Sequence, residues 1–271
     1  MLALKAIKSD KIWGYELWIA STHPNGKQDA FEKFCGGSYP LLVKVIQAND
    51  KLSVQIHPDD ATARLYEGEN ACGKTECWYV LDAEKDARLV CGLNGVYTAS
   101  ELRKAIKANS IQDCLNYVSV KKGDFIYIPS GTVHAIGGGL RLLEVQQSCD
   151  ITYRFYDWGR GRECHEEKAI ACIKDSPVRS VSAFPGVFSC PYFTLEQIFV
   201  EDKYEDRAEE ASSPRCVEDF TLLFIIEGSG SLNGQDVKAE EIYALAPGEE
   251  IKAHGNFSMM KIVPQKRRKK H

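Results

Sequence analysis

The chain has 271 residues, a formal net charge of −4, and 44% hydrophobic and 27% charged residues. These proportions describe an ordinary globular protein with a sizeable core and exclude a disordered or collagen-like chain. The weakly acidic balance leaves no general nucleic-acid footprint, no apolar run approaches the ~18 residues of a membrane span, and Met1-Leu2-Ala3-Leu4-Lys5 lacks the apolar core of a signal peptide.

The expectation is therefore a cytoplasmic protein with neither a nucleic-acid nor a membrane partner, acting as a monomer or homodimer. The basic end Lys266-Arg267-Arg268-Lys269-Lys270-His271 reads as a solvated tail. Ten cysteines include no C-x-x-C pair, and a chain of this length needs no covalent staples. They are expected to be free thiols, Cys72 and Cys77 among them as small buried side chains.

In chain order, Lys11-Ile12-Trp13-Gly14-Tyr15-Glu16-Leu17-Trp18-Ile19 alternates as a strand, with Gly14 marking a bulge or a close backbone approach. The apolar run from Tyr39 to Ile46 suits a buried strand, interrupted by Lys44, whose amine must find water, a partner or a ligand. Leu52 to His57 is a further strand ended by Pro58, and Asp59 to Gly68 a short helix and turn. Glu76–Leu81 and Ala87–Gly92 form two more strands. A helical insert near 98–116 begins with Ser100 as its cap.

Leu140 to Tyr156 reads as one strand-rich stretch. Glu144, Gln146, Ser148, Asp150, Thr152 and Arg154 recur in it at period two and so share one face. In a barrel, that face points inward and makes a polar, wet interior. Glu163 to Lys174 is an amphipathic helix with Ala169, Ile170 and Ile173 as its stripe, and Ser176-Pro177 marks a boundary.

The chemistry concentrates in Gly123-Asp124-Phe125-Ile126-Tyr127-Ile128-Pro129-Ser130-Gly131-Thr132-Val133-His134. Its spacing, G-D-x4-P-x-G-x2-H, describes a strand between two turns with a histidine held at a rigid corner. Gln55 and His57 project from one face of a strand, Glu76 opens the next strand-like segment, and His134 completes an N2O2 set suited to zinc. His57, Glu76 and His134 alone would also satisfy a two-histidine, one-carboxylate iron site, as in an oxygenase.

The signature resembles the second motif of the cupin barrel. Gln55-Ile56-His57-Pro58-Asp59, Lys44 eleven residues earlier, Lys74-Thr75-Glu76, and Leu143-Glu144-Val145-Gln146-Gln147-Ser148 leading to Thr152–Asp157 resemble the type I phosphomannose isomerase family in its short bacterial form. The match covers the first ~175 residues. It implies a mainly β fold of two cupin-like jelly-roll barrels with a small helical insert. Residues 1–175 would be the catalytic domain, and 176–271 a degenerate, metal-free barrel in which Pro247-Gly248 keeps the turn and no histidine follows at the right distance.

The resemblance further implies interconversion of D-mannose 6-phosphate and D-fructose 6-phosphate through an enediol, feeding mannose and GDP-mannose metabolism. One zinc per chain would be bound by Gln55, His57, Glu76 and His134. Arg154 matches the family's active-site arginine, and Lys44, Ser53 and Arg160 match positions linked to sugar-phosphate binding. Glu144 ranks first as the base, with Lys74 as a second acid–base or substrate-binding group. Three positions depart from the family pattern: Arg160 and Thr75 stand where longer members carry Lys and Pro, and Gly138 replaces the usual Asn. The last change predicts a looser loop at Gly137-Gly138-Gly139. Another metal-dependent cupin enzyme, such as an oxygenase or sugar epimerase, and a non-catalytic sugar-phosphate-binding bicupin are the alternatives, because cupins host many chemistries.

Overall fold

Alternating apolar positions and frequent glycine turns make the chain mainly β. The computed structural model describes residues 1–174, 181–211 and 216–265. The boundary expected at Ser176-Pro177 and the basic tail 266–271 lie outside the described residues. Among the described residues, no helix is long and apolar enough to cross a membrane, and all ten cysteines are free.

Proximity along the backbone groups the chain into two compact units that are not contiguous in sequence. One comprises Lys8–Glu16 and Lys44–Ala183; the other comprises Met1–Ile7, Leu17–Val43 and Phe184–His271. The division falls inside three strands, Ile7–Lys11, Gly14–Ala20 and Leu41–Ala48.

Three sheets carry the fold. A five-stranded sheet runs Tyr153–Tyr156, Val54–Ile56, His134–Ile136, Arg88–Leu93, Leu115–Ser119. A seven-stranded sheet runs Ser182–Ala183, Asp124–Ile128, Glu76–Ala83, Leu140–Gln147, Leu41–Ala48, Gly14–Ala20, Ile7–Lys11. The third, also seven-stranded, is built on the long pair Phe193–Arg207 and Glu250–Pro264, with Thr221–Leu232 beside the latter. In the first unit, Trp78, Leu89, Ile126, Ile128 and Leu142 form one apolar cluster. Val54, Ile56, Ala135 and Phe155, packed with Leu102 and Ala169 of the helices, form another. Burying each large side chain contributes roughly 1.5–3 kcal/mol.

Four local expectations need correction. The insert helix is Ala99–Lys107, and its cap is Thr98 rather than Ser100: the Thr98 hydroxyl accepts from the Glu101 amide while the Glu101 carboxylate takes the Thr98 amide. That reciprocal box satisfies two otherwise orphaned donors, which Ser100 cannot match. The later helix covers only Glu166–Cys172.

The polar stretch after Leu140 is not one strand. Leu140–Gln147 ends in the large sheet, Asp150 is exposed in a loop, and Tyr153–Tyr156 joins the other sheet by pairing with Val54–Ile56. Glu144 and Gln146 thus stand on one sheet and Arg154 on another. The triglycine loop is also held firmly rather than loose. Gly137 N–H donates to Arg88 O, Gly139 N–H to Ala48 O, and Glu84 N–H to Gly139 O. A Cβ at Gly137 would lie 2.1 Å from the Arg88 carbonyl oxygen, so the glycine there serves close approach.

Candidate metal centre

Backbone contacts bring three distant segments together. Gly131 N–H donates to the His57 carbonyl at 2.8 Å, and Lys74 N–H to the Pro58 carbonyl at 3.0 Å. Gly131 adopts φ +86°, the left-handed turn that delivers His134 to its strand. Ser130 N–H donates to Thr75 Oγ1, while Thr75 N–H donates to Gln147 Oε1 at 2.8 Å. Arg154, Gln55 and His134 pair in one cross-strand row, so their side chains share a face. Glu76 pairs with Gln146, and Trp78 with Glu144, on the other sheet.

The two faces meet at His57, Glu76 and His134, whose ligand atoms all lie within 4.8 Å of one another. All three side chains are buried. His57 Nε2 is 3.7 Å from Glu76 Oε2, and His134 Nε2 is 3.4 Å from Glu76 Oε1. Each ring's other nitrogen is occupied: His57 Nδ1 lies 2.9 Å from Ile151 O, and His134 Nδ1 lies 2.9 Å from Thr132 O. A carbonyl only accepts, so each Nδ1 carries the proton and each Nε2 presents a lone pair.

Burial, reinforced by the charge of Lys74, pushes His57 well below the usual imidazole range, and burial brings His134 down to about 4. Both rings are therefore neutral near pH 7, and the short approaches to Glu76 are not ion pairs. They are lone pairs and a carboxylate converging on one point, a donor set that a cation can bridge and that the Lys74 ammonium partly fills. Glu76 itself is raised to about 7, by burial first and then by the charge of Glu144, against the pull of Lys74. The Lys74 ammonium lies against the Glu76 carboxylate and 3.1 Å from His57 Nε2. Two neutral imidazoles and a carboxylate fit a divalent ion such as zinc. Gln55 stands beside His134 by register and donates from Nε2 to Ser53 Oγ at 3.2 Å, which leaves its oxygen as the other end of the amide.

A second buried cluster adjoins this triad through the charges it shares with Glu76. Lys44 Nζ is 3.1 Å from Glu144 Oε1, and the Trp78 indole N–H donates to Glu144 Oε2 at 2.9 Å. Burial opposes ionisation of Glu144, but Lys44, Lys74 and Trp78 outweigh it and hold the carboxyl down at about 2. Burial likewise opposes the Lys44 ammonium, and Glu144 and Glu16 outweigh it, raising that amine. Trp78 also meets the His134 ring edge-on, with centroids 5.5 Å apart.

Arg154 reaches Glu163 O through NH1 at 2.5 Å, and its Nε is buried without a hydrogen-bond partner among the described residues. Arg160 lies 3.0 Å from Asp157 Oδ1 and 3.6 Å from Asp50 Oδ2. The structure thus gathers His57, Glu76, His134, Lys74, Lys44 and Glu144 around one centre, with Gln55 and Arg154 in the cross-strand row of His134 and Ser53 bonded to Gln55. Arg160 is anchored separately by its two aspartates.

Three participants escaped the sequence reading. Trp78 reads there as a core aromatic, and only the register shows its N–H meeting Glu144. Asp157 is buried and holds Arg162 as well as Arg160, through contacts of 2.6 and 2.8 Å to Arg162. The Asp157-x-x-Arg160-x-Arg162 spacing was the available signal. Gln147 bridges Thr75 and Asp60, accepting from Thr75 N–H and donating to Asp60 Oδ1 at 3.3 Å.

Comparison with known proteins gives concordant results. The catalytic-domain model of type I phosphomannose isomerase matches residues 19–86. The mannose-6-phosphate isomerase ManA of Bacillus subtilis is 35% identical over 250 residues, covering 87% of this chain and 74% of the relative. A mannose-6-phosphate isomerase of Streptococcus mutans is 34% identical over 271 residues, covering 87% and 81%. The crystal structure of a Bacillus subtilis mannose 6-phosphate isomerase superposes with a TM-score of 0.82 at 26% identity, over 96% of this chain and 98% of that one. A mannose 6-phosphate isomerase solved with zinc and yttrium shares the fold at 15% identity, TM-score 0.69, over 97% of this chain and 100% of that one.

Proposed function

The chain belongs to the type I phosphomannose isomerase family, and on that premise we propose that it interconverts D-mannose 6-phosphate and D-fructose 6-phosphate through an enediol. The observation that carries the reading is the meeting of two neutral imidazoles with Glu76, immediately beside the buried Lys44–Glu144–Trp78 cluster. Gln55, His57, Glu76 and His134 would hold one zinc per chain, which when bound would polarise substrate oxygens as a Lewis acid.

The residues divide the remaining work. Ser53 and Arg160 bind the phosphate, Arg160 being aimed by Asp157. Arg154, always protonated, balances the negative charge that develops on the enediol oxygens. Glu144 stays ionised through the working pH range and takes the proton from the carbon. Held near 2 by Lys44, it is a weak base. When Lys44 turns to a substrate oxygen, that hold loosens and the carboxylate becomes more basic. Lys74 shuttles or binds at the hydroxyl end. The architecture proposed for this activity is two cupin-like barrels, catalytic over 1–175 and metal-free over 176–271. The enzyme works in the cytoplasm as a monomer or homodimer and feeds mannose and GDP-mannose metabolism.

Incubation of the purified protein with mannose 6-phosphate in D2O, followed by proton NMR, tests the enediol. Deuterium at C1 of the fructose 6-phosphate formed is the expected result. Conversion without solvent exchange would mean that the hydrogen passes from C2 to C1 unexchanged, as a hydride or on a base shielded from water, and consumption of oxygen would point to an iron oxygenase.

A further inference from the structure

Gln146 is fully buried on the strand Leu140–Gln147, in register opposite Glu76, so the two side chains share a face. Its Nε2 donates to two backbone carbonyls, Gln147 O at 2.9 Å and Cys149 O at 2.5 Å. Both partners are acceptors only, so the NH2 end must face them and the orientation of the amide is fixed. The other end, Oε1, is buried and has no hydrogen-bond partner among the described residues.

A buried acceptor without a donor calls for a physical reason. Two residues back on the same face, Glu144 is engaged at both oxygens, Oε2 by the Trp78 N–H and Oε1 by the Lys44 ammonium 3.1 Å away, whereas Gln146 Oε1 meets no donor among the described residues.

We propose that Gln146 determines substrate recognition, its amide oxygen accepting the hydrogen bond of the C3 hydroxyl of the bound sugar phosphate. The inference rests on the isomerase reading above. The oxygens on C1 and C2 belong to the reacting pair beside the triad, and Gln146 stands next to Glu76, so the next hydroxyl along the chain falls to it. The pinned NH2 group makes the oxygen a preorganised acceptor rather than a rotor that must be ordered on binding.

The test pairs the protein with its substrate. Wild type and Gln146→Met, matched for zinc content and melting temperature, are assayed on mannose 6-phosphate and on its 3-deoxy and 4-deoxy analogues. In wild type the 3-deoxy analogue loses ~10²-fold in kcat/KM, as at a site built to bond a hydroxyl. In Gln146→Met the 3-deoxy penalty falls to within ~3-fold of the parent sugar, while the 4-deoxy penalty is the same in both proteins. A 3-deoxy penalty of equal size in both proteins overturns the assignment, because a purely structural role lowers all substrates alike. Should the variant not fold, the wild-type arm still decides against the assignment when 3-deoxy substrate turns over normally. Wild type inactive on mannose 6-phosphate itself would instead refute the isomerase reading.

Discussion

Replacing Lys44 with Met removes the cation from a buried pair while keeping the length of the side chain. Lys44 and Glu144 have side chains only 7% and 4% exposed and lie 3.1 Å apart. The variant leaves Glu144 with Trp78 and the more distant Lys74. Burial opposes the charge of Glu144, and Lys44, ahead of Lys74 and Trp78, holds the carboxyl at about 2 against an ordinary 4.5; the full shift corresponds to roughly 3 kcal/mol at neutral pH, of which Lys44 supplies the largest share. That agrees with the ~3–5 kcal/mol lost when one member of a buried pair is removed. The group is a depressed carboxyl, so its contribution is fully present above 4.5 and disappears as the pH falls through about 2. Urea unfolding of chelated protein at several pH values measures the difference. The expected loss is about 3 kcal/mol at pH 7, shrinking towards zero near pH 2, with Lys44→Met/Glu144→Leu recovering most of it. A loss below 1 kcal/mol at pH 7, or one independent of pH, would refute the reasoning.

In the metal-free protein, Glu76 at about 7 must release its proton before it can bind an ion. Zinc affinity, followed by competition with a chromophoric chelator, is therefore expected to rise about tenfold per pH unit up to about 7 and then level off; a flat profile from pH 5 to 7 would contradict this. Arg154→Ala should lower kcat by ~10²–10³-fold with little change in KM, and a change in KM alone would make Arg154 a substrate clamp. Asp157→Asn frees Arg160 and Arg162 from their shared carboxylate and should raise KM for the sugar phosphate several-fold while kcat is kept, as read from steady-state kinetics.

Much of the site was legible because its residues are fixed by short-range geometry. Gln55 and His57 share a face by strand period alone, and Gly131 places His134 through a turn that the sequence spells out. The strand Leu140–Gln147 was legible as far as Gln146. Its continuation to Arg154 was not, because a period-two pattern survives a loop with fortuitous spacing. Gln146 ends the ladder by spending its amide on Gln147 O and Cys149 O, a tertiary event without local signature. The Thr98 cap lost to Ser100 for a similar reason, since Glu101 three residues on decides between them. The triglycine loop looked loose from composition, yet its amides are tied to Arg88 and Ala48, residues 49 and 91 positions away along the chain. Trp78 as donor to Glu144 depends on register between two strands 66 residues apart, which no single segment encodes.

The central claim is that turnover of mannose 6-phosphate depends on an ion at His57, Glu76 and His134. A coupled assay with and without chelator, beside elemental analysis of the purified protein, addresses it directly. The account predicts about one zinc per chain, activity lost on chelation and restored by zinc, and neither metal nor activity in His134→Ala. Full turnover by metal-free protein would contradict it.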